Sequence, residues 1–167
     1  MRLKHYLYCM LILLSFITVN AQEKKELKEG DQAPTFKYLD INGKEVSLSD
    51  LEGKYVYIDV WATWCGPCQY ELPHLKELEK KMHGKKIVFV SISCDKDKAA
   101  WEKMVKEQGL GGVQLHNGGD REFMTAFGIR GIPRFILLDK KGKIVNPNMT
   151  RPSNPETEKT LKALKGI

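Results

Sequence analysis

The sequence predicts an α/β protein, a three-layer α/β/α sandwich around a mixed central sheet. Three observations lead there. Tyr55–Trp61 and Ile87–Ser93 are near-continuous runs of apolar, aromatic and β-branched residues, the pattern of strands buried on both faces. A stretch of helical periodicity separates them, so the two strands are expected to pair in parallel across a helical crossover. Turn signals mark one hairpin before this unit and another after it, adding antiparallel strands to the parallel core.

Each element follows from local pattern. Residues 35–39 and 45–48 flank Ile41-Asn42-Gly43-Lys44, whose Asn-Gly dipeptide signals a two-residue hairpin loop. Residues 49–53 read as a turn into the first buried strand. After Cys68, Leu72, Leu75, Leu78 and Met82 recur at helical spacing until Gly84 ends the helix. Residues 98–108 form a second helix with Trp101, Met104 and Val105 inward and Asp97 as its N-cap. Val113–His116 is a short strand, and 120–127 a short helix carrying Phe123, Met124 and Phe127. Residues 135–139, the turn 140–142 and residues 143–146 make the closing hairpin. The last helix starts at Asn154-Pro155, proline suiting the first helical position, and buries Leu161 and Leu164. No internal repeat or low-complexity block interrupts this order.

A chain of 167 residues accommodates one domain with a substantial core. Its formal charge of +6 raises nucleic acid as a partner, but lysines and glutamates are interspersed through 23–29, 76–81 and 101–108, as on solvated helix faces. No basic stripe with interleaved aromatics is present, which argues against nucleic-acid binding. At the start, Arg2, Lys4 and His5 precede an apolar run from Leu7 to Val19, and Val19-Asn20-Ala21 supplies small residues at a cleavage site. Residues 1–21 therefore read as a cleaved signal peptide, the apolar run being shorter than the ~20 residues of a membrane span. Residues 22–30 read as a flexible charged leader and 31–167 as the folded domain. Export implies the periplasm or cell envelope, where disulfides persist, so Cys65, Cys68 and Cys94 are candidate redox groups.

Cys65-Gly66-Pro67-Cys68 lies where a predicted strand meets a predicted helix. The helix N-terminus offers unpaired N–H groups and a positive dipole end, which stabilise a thiolate at Cys65 in the first turn. Only the thiolate attacks disulfides. Pro67 loses no hydrogen bond at a helix start and stiffens the segment, and a two-residue spacing lets both sulfurs meet across one turn. A zinc site would need a second Cys or His pair, and His74, His83, His116 and Cys94 lack ligand spacing. A structural disulfide closing so small a loop would stabilise little. Dithiol–disulfide exchange, with Cys65–Cys68 as the oxidised form and neither cofactor nor metal, is the chemistry that fits. Cys94 is expected to be a small buried hydrophobe.

The segment Asp59-Val60-Trp61-Ala62-Thr63-Trp64-Cys65-Gly66-Pro67-Cys68 resembles the active-site block of the thioredoxin superfamily, in particular its TlpA/ResA-like envelope oxidoreductases. Pro73 matches the helix-kinking proline, and Gly131-Ile132-Pro133 resembles the cis-proline loop. The leading hairpin from Gly30 and the insert around 98–114 are similar to the TlpA/ResA-like branch, and the resemblance spans about residues 30–166. It implies a thioredoxin fold with an N-terminal β-hairpin and an insert before the cis-proline loop. Cys65 would be the nucleophile, Cys68 the resolving thiol and Asp59 the buried acceptor of its proton. Trp64, Gly66, Pro67, Ile132 and Pro133 would contact the substrate. The sequence departs from the family pattern at Arg134, where threonine is frequent and a solvated arginine is expected. It departs again in 87–94, which lacks the lysine often set beside the buried acid. The implied partners are exported proteins carrying disulfides and a membrane thiol-disulfide reductant; oligomeric state stays open. Gly66-Pro67 is the dipeptide of reducing thioredoxins, so electron donation is the expected direction. Two alternatives share these residues: a disulfide-forming oxidase, and a copper-delivering protein of the same fold that would enlist His116. A peroxiredoxin would need Thr or Ser at position 62 and Pro at 58, where Ala62 and Ile58 stand.

Overall fold

The computed structural model describes residues 26–167; the expected signal peptide, its cleavage site and the first part of the leader lie outside them. The chain runs β1 (Lys37–Asp40), β2 (Glu45–Ser47), β3 (Tyr55–Trp61), α1 (Gly66–Lys81), β4 (Ile87–Ser93), α2 (Lys98–Glu107), β5 (Val113–His116), α3 (Glu122–Ala126), β6 (Arg134–Leu138), β7 (Ile144–Asn146) and α4 (Pro155–Lys162). One seven-stranded sheet has the order β2-β1-β5-β4-β3-β6-β7. β3, β4 and β5 are parallel, as the helical connection between the apolar runs requires, while β1, β2, β6 and β7 add antiparallel. The expected thioredoxin-type α/β architecture is therefore present.

β3 is buried at every position because both of its faces are covered. Tyr57 turns to one side, with Phe89, Phe135 and Leu137, under Leu75 and Leu78 of α1 and Leu161 of α4. Val56, Ile58 and Val60 turn to the other, with Val90, Ile92, Leu115, Ile136 and the α3 ring of Phe123. At its C-terminal end, Trp61 joins Cys65, Cys68, Leu72 and Trp101 in a third cluster. Burying one such aliphatic or aromatic side chain is worth about 1.5–3 kcal/mol, so the central strand anchors the whole molecule. The end of β3 is consequently a rigid platform for the segment that follows.

The first hairpin loop has three residues, not the expected two. Asp40 pairs with Lys44, Gly43 N–H donates to Asp40 O, and Gly43 alone in this loop has positive φ, at 78°. A two-residue type I′ turn would require positive φ at Asn42 as well. The Asp40 carboxylate decides the matter by accepting the N–H groups of Asn42 and Lys44, both at 2.8 Å. Asp139 does the same for Lys141 and Lys143 in the second hairpin, where Gly142 has φ 71°. Both turns read Asp-x-x-Gly-Lys. Residues 48–51 form a short 3-10 turn before β3 rather than an unstructured one. At the start of the described chain, Leu27 packs against the core, and segment 30–33 exchanges backbone hydrogen bonds with Gly142 and Ile144 beside β7.

Candidate active site

Cys65 is the N-cap of α1 rather than a first-turn residue, and its Sγ accepts the N–H of Cys68 at 3.2 Å. The expected helix-terminus environment is thus delivered from the cap position, where the side chain faces the open N–H groups. Gly66, Pro67 and Cys68 are the first three helical residues, and Cys65 and Cys68 form a disulfide of 2.03 Å with Cα atoms 5.2 Å apart. The two cysteines are nearly enclosed, at 6% and 2% exposure, whereas neighbouring Trp64 is 69% exposed. Trp64 therefore forms no part of the core and presents its ring to solvent beside the dithiol. Tyr70, one turn along α1 and tilted against the His74 ring at 5.3 Å, is exposed on the same helix.

The loop leading into the dithiol is fixed by a residue that sequence reasoning missed. Asp95, just beyond β4 and buried, accepts Thr63 N–H at 3.0 Å, Thr63 Oγ1 at 2.7 Å and Ser93 Oγ at 2.7 Å. Gln69 of α1 donates to Thr63 O from the other side. Cys94 lies between, half-buried, its Sγ donating to Trp61 O at 3.2 Å. Burial, then the charge of Asp95, pushes its thiol pKa up, which disfavours the nucleophilic thiolate; half-buried and hydrogen-bonded, it is less enclosed than the small buried hydrophobe expected.

Asp59 lies on the Tyr57 side of β3, opposite Ser91 of β4, whose hydroxyl donates to its Oδ1. Ser91 occupies the strand on which thioredoxins often carry a lysine. Burial pushes the Asp59 carboxyl up to about 7, against the Ser91 hydrogen bond; the charge of Glu79 adds to the rise. Glu79, on α1, is half-buried over Gly111, where even a methyl group would collide with its carboxylate. Burial raises it too, to about 7, with Lys76 pulling the other way. A second missed residue is Glu71, three positions after Cys68 and buried. It accepts Ser153 N–H and Oγ at 2.9 Å each and faces Arg151 at 3.9 Å, tying α1 to the segment before α4.

The Ile132–Pro133 peptide is cis. Ile132 packs against the cluster that holds Cys65 and Cys68 as well as the main core, which brings this loop to the dithiol end of the sheet. Arg134 opens β6 in register with Val60 and is half-buried. His116, the candidate copper ligand, stacks on Trp101 at 5.1 Å. Among the described residues no group of three or more His, Cys, Asp or Glu side chains is placed to hold a metal.

A family model described as Redoxin matches residues 28–164. The chain is similar to thiol-disulfide oxidoreductase ResA of Bacillus anthracis, 31% identical over 143 residues that cover 85% of this chain and 82% of the relative. The Bacillus subtilis protein of the same name is 32% identical over 122 residues, 73% of this chain and 68% of that one. Among solved structures, a proposed thiol-disulfide oxidoreductase of Bacteroides vulgatus is 61% identical, with a TM-score of 0.73 over 83% of this chain and 90% of its own. The thioredoxin domain of another Bacteroides vulgatus oxidoreductase is 29% identical, with a TM-score of 0.75 over 82% and 97%.

Proposed function

The chain belongs to the Redoxin family and is a thiol-disulfide oxidoreductase of thioredoxin fold, and from that premise we propose that it reduces disulfides of exported proteins in the cell envelope. The observation that carries the reading is the Cys65–Cys68 pair capping α1, with the buried Asp59 on the strand that leads to it. In the reduced protein the Cys65 thiolate attacks a client disulfide, forms a mixed disulfide and expels one client thiolate. Cys68 then gives its proton to the Asp59 carboxylate, and its thiolate attacks Cys65 Sγ. The second client sulfur leaves as a thiolate, and the Cys65–Cys68 disulfide remains. A carboxyl near 7 is half ionised at neutral pH, so it can take that proton and give it up again.

Trp64, Gly66, Pro67, Ile132 and Pro133 form the client-contacting rim in this reading. A ring that is mostly exposed beside enclosed sulfurs suits a flat apolar contact. Residues 1–21 direct export, and a membrane dithiol returns electrons to the pair. No cofactor takes part.

Two experiments test the proposal. A Cys68→Ala variant should trap clients as mixed disulfides on Cys65, and an absence of captured envelope proteins would count against it. Equilibration with glutathione buffers should give a potential near the roughly −270 mV of thioredoxin; a value near the roughly −120 mV of strong oxidants would make the protein a disulfide-forming oxidase.

A further inference from the structure

Asp59, Ser91 and Gln114 are register partners on β3, β4 and β5, so their side chains line one row across the sheet beneath α1. All three are buried. Ser91 donates to Asp59 Oδ1. Gln114 Nε2 donates to Gly111 O at 2.6 Å, which fixes the orientation of the amide, and its Oε1 is a buried acceptor without a donor. Leaving such a group unmet is costly, and native interiors almost always supply a partner. A hydroxyl carries one hydrogen and two lone pairs, so Ser91 can serve one neighbour as donor and the other as acceptor.

We propose that Ser91 is a reversible hydroxyl switch, donating to Asp59 when that carboxylate is charged and to Gln114 Oε1 when Asp59 carries a proton. Resting on the reading of Asp59 as the proton acceptor, the step conserves every atom. The proton from Cys68 Sγ settles on an Asp59 oxygen, and the new O–H donates to a lone pair of Ser91 Oγ. The serine hydrogen swings to Gln114 Oε1, across strands about 4.8 Å apart, directly or through one water. No proton travels beyond Asp59; the hydrogen bonds reverse, and they reverse again when Asp59 ionises. Both states of a buried acid are thereby satisfied without the lysine. Ser91 and Gln114 are positioning residues here, acting through Asp59.

Of the other charged or polar groups, Glu79 on α1 acts on Asp59 through its charge, and the Tyr57 hydroxyl, which feels the Asp59 charge, is committed to Thr150 O at 2.9 Å. From β6 the register partner is Phe135, which brings no charge.

The switch predicts opposite effects from its two ends. In the oxidised protein, the Asp59 carboxyl can be titrated by carbon NMR without any turnover. Gln114→Met should lower its pKa by about one pH unit, because the protonated state loses its acceptor. Ser91→Ala should raise it by about as much, because the charged state loses its donor. In the Ser91→Ala background, Gln114→Met should have no effect, since the hydroxyl that couples them is gone. Ser91→Thr keeps the hydroxyl in a strand that favours β-branched residues, and should titrate like the parent protein. A Gln114→Met shift of equal size with and without Ser91 would overturn the switch, as would no shift in its presence. The resolving rate against pH separates this from the role of Asp59. A flat profile beside the expected NMR shifts would remove Asp59 as base and leave the switch standing.

Discussion

Two buried aspartates, Asp59 and Asp95, lie near the dithiol end of the sheet and are treated in opposite ways. Asp95 receives the N–H and hydroxyl of Thr63 and the hydroxyl of Ser93; Asp59 receives one side-chain donor, Ser91. Exposure does not separate them, at 2% and 4%. The number of side-chain and loop donors does. Three of them make Asp95 a clamp that holds a loop in place, whereas Asp59, buried with one side-chain donor, is pushed toward taking a proton. The same residue type thus clamps Thr63 at one site and is proposed to move a proton at the other.

The largest effect should come from breaking the clamp. Asp95→Ala strands the Thr63 amide and two hydroxyls and should cost about 5 kcal/mol in urea unfolding, with a loss of activity as the Thr63–Trp64 segment loosens. Next comes Asp59→Asn. The folded carboxyl near 7 lies above its ordinary value of 3.8, so its stabilising share is complete below about pH 4 and is lost as pH rises through 7. An asparagine does not ionise, so the variant should be more stable than the parent at pH 8 by up to about 4 kcal/mol and no more stable at pH 4. Thermal melts at the two pH values check the sign. Glu79→Gln removes a like charge that partial exposure already screens, and should lower the Asp59 pKa by less than about one pH unit. Least of all, Cys94→Ala should keep reductase turnover within about tenfold of the parent, since burial disfavours that thiolate.

What the sequence made legible follows from where the information sits. β3 and β4 were readable to the residue because strands covered on both faces become unbroken apolar runs. Asp97 was readable as a cap because its partner, Ala100 N–H, lies three residues away. The dithiol was readable because its spacing is local. Asp95 was not, since its meaning comes from Thr63, which tertiary folding brings to it. Glu71 was not legible either, because its partners Ser153 and Arg151 come from the far end of the chain. Gln114 could not be paired with Ser91 without the register of β4 on β5. The hairpin loop was misjudged for a different reason: Asn-Gly permits more than one loop length, and the Asp40 side chain two residues earlier chooses between them.

The rims of the sheet carry a consequence for behaviour in a crowded compartment. Its outer strands, β2 and β7, have three residues each, while the seven-residue β3 and β4 lie inside. The free side of β7 is covered as well: Gly30 and Ala33 donate to Ile144 O and Gly142 O, and Ile144 N–H returns a bond to Asp31 O. Among the described residues, a second chain seeking a strand to copy finds the brief β2, beside the Lys37–Glu45 ion pair. Short, charged or covered edges are poor templates for aggregation. Segment 30–33 thus acts as a guard on one flank, meeting backbone groups of residues 142–144 that would otherwise face solvent.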